Sequence, residues 1–123
     1  MDQVRIRIPA APEYLHVVRL VASGLAARLS FTLEDIEDLK IAVDELSAYL
    51  TGAHGREGTL EITFTVAEER IEIEGVGRLA PGQKVRADLT EFSRMILETV
   101  VDSASLDQAD GIPVFRVLKT KTP

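Results

Sequence analysis

DIEDLKIAVDELSAYLTGAH, residues 35–54, is the stretch whose reading decides the fold. Ile36, Leu39, Val43, Leu46 and Leu50 recur at steps of three and four, the spacing that gathers side chains on one side of an α-helix. Such a stripe needs a sheet or another helix to cover it. Around the helical projection Glu45 and Tyr49 lie one turn apart beside the stripe, where a catalytic or ligand-binding group sits between core and solvent. Thr32 is the expected N-cap, and Glu34, Asp35, Glu37 and Asp38 crowd the first turns, where the helix dipole favours negative charge. Gly52, His54 and Gly55 mark the end. Ile41 stands among charged neighbours off the stripe and is expected to mark a second buried side.

Upstream, Val4, Ile6 and Ile8 alternate with Arg5 and Arg7, a strand pattern over residues 3–8. Pro12 suits the first turn of a following helix, because its missing N–H is not needed there. From Glu13 to Leu29 the apolar residues Leu15, Val18, Ala22, Leu25 and Leu29 again step by three and four. Gly24 inside this helix costs about 1 kcal/mol relative to Ala and hints at close packing.

Downstream, Leu60, Ile62, Phe64 and Val66 alternate with Glu61, Thr63 and Thr65, and after a polar turn Ile71 and Ile73 alternate with Glu72 and Glu74. Two such strands make an antiparallel hairpin with one wet face. Gly75 and Gly77 are expected to end its second strand, with a loop from Gly75 to Arg86. Helical period returns over residues 89–102 through Phe92, Met95, Ile96, Thr99 and Val100. Residues 103–107 and 112–118 read as a last hairpin around Asp110-Gly111. The order β-α-α-β-β-α-β-β predicts an α+β two-layer sandwich, with a mixed, mostly antiparallel sheet and about three helices on one face.

At 123 residues one domain, 1–123, is expected. Hydrophobic residues at 46% and charged residues at 28% suit a globular chain rather than a disordered one. A net charge of −6 with no Lys/Arg run to offset it argues against nucleic acid as a direct partner. The absence of cysteine excludes disulfides and thiolate chemistry. No window approaches the roughly 18 apolar residues of a membrane span, and no signal-peptide pattern opens the chain, so a cytoplasmic protein is expected. His16 and His54 have no second ligand at useful spacing, and no metal site is expected.

This order of elements, with P-E-Y-L-H-V-V-R at 12–19 and D-L-K-I-A-V-D-E-L at 38–46, resembles the anti-sigma factor serine kinases of the GHKL, or histidine kinase-like, ATPase superfamily. The resemblance covers nearly the whole chain and implies a Bergerat-type ATPase fold. It also implies a Glu-x-x-x-Asn motif on the second helix, in which Glu is the general base and Asn holds Mg²⁺. Glu45 matches the base, but Tyr49 stands where the Asn is required. A neutral phenol is a poor ligand for a hard cation, and its ring takes space that metal and phosphate need.

The implied Asp-x-Gly-x-Gly motif, whose Asp meets adenine, falls on Ile73, Glu74, Gly75, Val76 and Gly77. The cofactor-binding positions Tyr49, Gly75 and Gly77 are thus a degenerate set. Glu74 cannot replace the missing Asp, because as a strand residue it points to the opposite face. The implied glycine-rich phosphate loop falls on Glu91, Phe92, Ser93 and Arg94, which offers bulk and charge where anion binding needs bare N–H groups.

The resemblance further implies a partner surface on the first helix, with Glu13 and Arg19 on it. The expected function is therefore an anti-sigma factor that sequesters an alternative sigma factor as a homodimer, with no cofactor and no kinase activity, and with an anti-anti-sigma factor as a second partner. The alternative is an active serine kinase of that anti-anti-sigma factor, with Glu45 as base and ATP and Mg²⁺ as cofactors. A regulatory module for some other partner is a third reading.

Overall fold

The computed structural model describes residues 1–86 and 88–123. The chain runs β1 (Asp2–Pro9), a short 3-10 turn (Pro12–Tyr14), α1 (Leu15–Arg28), α2 (Leu33–Thr51), β2 (Gly58–Val66), β3 (Arg70–Leu79), α3 (Glu91–Val100), β4 (Ser103–Ala109) and β5 (Ile112–Thr120). The strands form one five-stranded sheet in the order β1-β2-β3-β5-β4. All four pairings are antiparallel, so the sheet is wholly antiparallel. The α+β architecture with three helices is the one the sequence predicts.

Alternation along the strands decides where the core lies. Leu60, Ile62 and Phe64 of β2, Ile71 and Ile73 of β3, and Phe115 and Val117 of β5 join Val18, Ala22, Leu39, Val43, Leu46 and Leu50 of the helices in one buried cluster. Their intervening neighbours stay wet: Arg78 pairs with Glu61 at 2.6 Å and Arg116 with Glu74 at 3.0 Å across the open face. Burying a side chain such as Leu46 contributes about 1.5–3 kcal/mol, so the stripe on α2 is a main source of stability.

The ends of α2 follow its chemistry. Thr32 Oγ1 accepts from the Asp35 N–H at 3.0 Å, the expected cap. At the other end Gly52 takes φ 66°, and Arg56 Nε donates to the Leu50 carbonyl at 2.9 Å, placing a cation where the dipole is negative. In the last hairpin Asp110 (φ 53°) and Gly111 (φ 78°) make the left-handed turn that an Asp-Gly pair favours.

Four local expectations are corrected. Strand β3 runs through Gly75 and Gly77 to Leu79 instead of ending at the glycines. Gly75 pairs across the ladder with Phe115, and a Cβ there would overlap the Phe115 ring, so the glycine makes room for an aromatic core residue. At Gly24 a Cβ would meet nothing within 4 Å, so no internal packing explains the glycine. Ile41 is 43% exposed rather than core. On α3 the inward residues are Ser93, Leu97 and Val100, while Phe92 and Met95 are 71% and 62% exposed. Of the predicted stripe Val100 does face inward, whereas Phe92 and Met95 point out because a polar residue, Ser93, holds the inner side of the first turn.

Among the described residues no helix is long and apolar enough to cross a membrane.

Candidate functional site

Helix α2 presents Glu45 and Tyr49, both partly buried, toward the amino-terminal turn of α3. That turn is set locally by Thr90, whose hydroxyl accepts from the Ser93 N–H at 3.1 Å as an N-cap. The cap turns the Thr90 N–H back toward α2, where it donates to the Tyr49 hydroxyl at 3.0 Å. Tyr49 donates in turn to Ser93 Oγ at 2.7 Å, and Ser93 donates to Glu45 Oε2 at 2.6 Å. A relay of Thr90, Tyr49, Ser93 and Glu45 thus joins the two helices, each hydroxyl accepting from one neighbour and donating to the next. Chains of this kind polarise one another and end here on the charged group, which strengthens the last bond.

Burial raises the Tyr49 phenol, but its hydrogen bonds to Ser93 and to the Thr90 side chain and N–H outweigh that effect. The net direction is below the ordinary value, against a smaller upward push from the Glu45 charge. Ser93 itself is 4% exposed.

The residues assigned to a nucleotide by resemblance can be tested against this geometry. Tyr49 has its hydroxyl engaged by Ser93 and Thr90, and its ring packs against the core cluster. Ile73 is 1% exposed, in the core, and Glu74 faces the other way to meet Arg116 at 3.0 Å. Gly75 lies under Phe115, and Gly77 sits against Pro113, Leu79 and Leu50. Neither glycine takes part in the relay. Residues 91–94 form the first turn of α3 instead of an open loop. Among the described residues no three His, Cys, Asp or Glu side chains gather as a metal site. These residues do not fit a Mg²⁺-nucleotide in the manner the resemblance implies. A cleft of about 710 Å³ opens between residues 77–85 and the tip of the β4–β5 hairpin; Gly77 lines it, and Glu45 and Tyr49 do not.

On the other flank of α2 the expected partner residues separate. Glu13 lies exposed in the 3-10 turn before α1. Arg19, by contrast, donates from Nη1 to Asp44 Oδ1 at 2.8 Å, with 31% of its side chain exposed. Its charge is therefore shared with α2, and it fixes the α1–α2 seam as well as facing solvent.

Sequence reasoning named Ser93 only as a misfit in a phosphate loop and did not find Thr90. The signal was present as Thr90-x-x-Ser93 ahead of a helical run, a capping pattern that places both hydroxyls on the first turn.

No protein-family model matches the chain. Among curated proteins, a serine-protein kinase RsbW of Bacillus velezensis is 32% identical over 134 aligned positions, covering 93% of this chain and 83% of the relative. A second, from Bacillus pumilus, is 41% identical over 78 residues, covering 59% of this chain and 48% of the relative, so that match spans about half of the relative's length. Among solved structures, one of the RsbU and RsbW domains of a Mycobacterium tuberculosis protein superposes on all of this chain with a TM-score of 0.72 at 17% identity. The chain covers 34% of that structure, and the likeness concerns the fold.

Proposed function

The chain belongs to the serine-protein kinase RsbW family, and from that premise we propose that it is an anti-sigma factor-like regulator that sequesters an alternative sigma factor without transferring phosphate. The observation that carries the second half is the relay from Thr90 to Glu45. Phosphoryl transfer depends on positioning and on charge neutralisation by a metal, and here the position of the metal-holding Asn is a tyrosine whose hydroxyl is committed to α3. The first half rests on the family resemblance of residues 12–19 and 38–46. Occlusion then acts through a surface that includes Glu13 in the turn before α1 and Arg19 on α1, and release comes from a competing anti-anti-sigma partner. Two copies of the chain form the working unit.

Co-purification with a sigma factor tests the surface. Binding is expected to weaken in Arg19→Glu, and in Glu13→Arg, whose exposed side chain makes it the cleaner test. Undiminished capture by both variants would overturn the assignment. A second reading has its own support, because the relatives are named serine-protein kinases. On that reading Glu45 is the base, and incubation with ATP, Mg²⁺ and a phosphoacceptor protein transfers phosphate in the wild type but not in Glu45→Ala.

A further inference from the structure

We propose that the amino-terminal turn of α3 is a built-in pseudosubstrate: Ser93 places its hydroxyl on the Glu45 carboxylate where the hydroxyl of a protein acceptor would have to sit. The inference rests on Glu45 being the position at which the family meets its acceptor.

Three observations carry it. Relatives of this chain are kinases of serine, so the acceptor group is an alcohol. A carboxylate that receives an alcohol proton must lie within about 2.6–3.2 Å of the oxygen, and the Ser93 to Glu45 distance is 2.6 Å. The internal serine is also held rather than passing by. Tyr49 donates to its oxygen at 2.7 Å, and its own N–H is capped by Thr90 at 3.1 Å. Both functions of the hydroxyl are thereby used, the proton on Glu45 and a lone pair on Tyr49. To take this position on Glu45 Oε2 an outside serine must displace Ser93, which already holds it at 2.6 Å. The substitution that removes the metal ligand, Tyr49, is the same one that clamps the internal serine.

The test reads access to Glu45 in the full chain, by modification with a water-soluble carbodiimide and glycinamide, mapped by mass spectrometry. Glu34, exposed on the same helix, serves as the reference. In the wild type Glu45 should react much more slowly than Glu34. Ser93→Ala should raise the Glu45 rate about tenfold, the scale expected for losing one hydrogen bond to a charged group. Ser93→Thr, which keeps the hydroxyl, should stay near the wild-type rate.

The acceptor role is separated from mere helix packing by rescue. Added N-acetylserinamide should slow modification of Glu45 in Ser93→Gly, and N-acetylalaninamide should not. Hydrogen exchange over residues 91–100 reports whether any variant has simply released α3. If Ser93→Ala does so, Tyr49→Phe, which leaves the Ser93 to Glu45 bond in place, should keep Glu45 protected. Equal rates for Glu45 and Glu34 in the wild type, or no effect of the serinamide, would overturn the proposal. ATP binding by the wild type would instead overturn the phosphate-silent reading, and leaves these rates to decide the contact by themselves.

Discussion

The two polar clusters that anchor α2 differ in kind. Near its amino-terminal end Asp35 is 3% exposed and meets charge: Lys119 lies 3.5 Å away and reaches Asp38 at 3.6 Å, and the Thr122 hydroxyl and N–H donate to the Asp35 carboxylate at 2.7 and 2.9 Å. Lys119 also donates to the Val100 carbonyl at 2.9 Å. This is a clasp that ties the last strand and the end of α3 to the start of α2. Two turns and more along the same helix, Glu45 is held by the single neutral hydroxyl of Ser93 on α3 and stays partly exposed. The first cluster satisfies every group it buries, as a structural ion pair must. The second occupies the place where the family resemblance puts chemistry, and fills it with the chain's own side chains.

The contrast can be broken from either end. Asp35→Ala should destabilise the fold by about 3 kcal/mol, because it removes the acceptor of both Thr122 bonds and leaves Lys119 only Asp38 and the Val100 carbonyl in a nearly dry site; urea unfolding measures it. The same carboxylate sets an acid limit. Burial raises Asp35, but the hydrogen bonds of Thr122, the Lys119 charge and Thr32 together hold it below the ordinary aspartate value. A carboxyl lowered in the folded state contributes stability above its unfolded pKa and loses it as pH falls through the folded one. Wild-type stability should therefore decline as pH drops below about 5, more steeply than in Asp35→Asn, in unfolding curves taken at a series of pH values.

Tyr49→Phe should cost about 1–2 kcal/mol, since it leaves the Thr90 N–H without an acceptor and removes one donor to Ser93, and the loss should show as faster hydrogen exchange in α3 rather than across the sheet. The smallest effect is expected at Ser47, fully buried with an unpartnered hydroxyl. Ser47→Ala should be neutral or stabilising by up to about 1 kcal/mol, because it removes a polar group that has no bond to lose.

Most of the fold was legible because its elements obey simple periods. The alternation of β2 and the three-and-four stripe of α2 follow directly from which residues must be covered. Two of the misreadings share one cause. Gly75 and the face of α3 depend on partners far away in sequence: Phe115 fills the space over Gly75, and Ser93 turns inward where Tyr49 and Glu45 satisfy it. Periodicity counts apolar residues and cannot see a buried hydroxyl pair between residues 49 and 93. The candidate site was located at Glu45 and Tyr49 for the same local reason that α2 was found. What Tyr49 does there, joining α3 through its hydroxyl, needed the fold. Arg19 is a similar case, since nothing in its neighbourhood of sequence announces Asp44.

The central claim is that α2 and α3 are closed on each other at the position where the family resemblance places Mg²⁺ and nucleotide. Calorimetric titration of the wild-type chain with ATP and Mg²⁺ tests it most directly. The relay of Thr90, Tyr49, Ser93 and Glu45 predicts no binding heat through the millimolar range; saturable binding in the micromolar range, lost in Glu45→Ala, would contradict it.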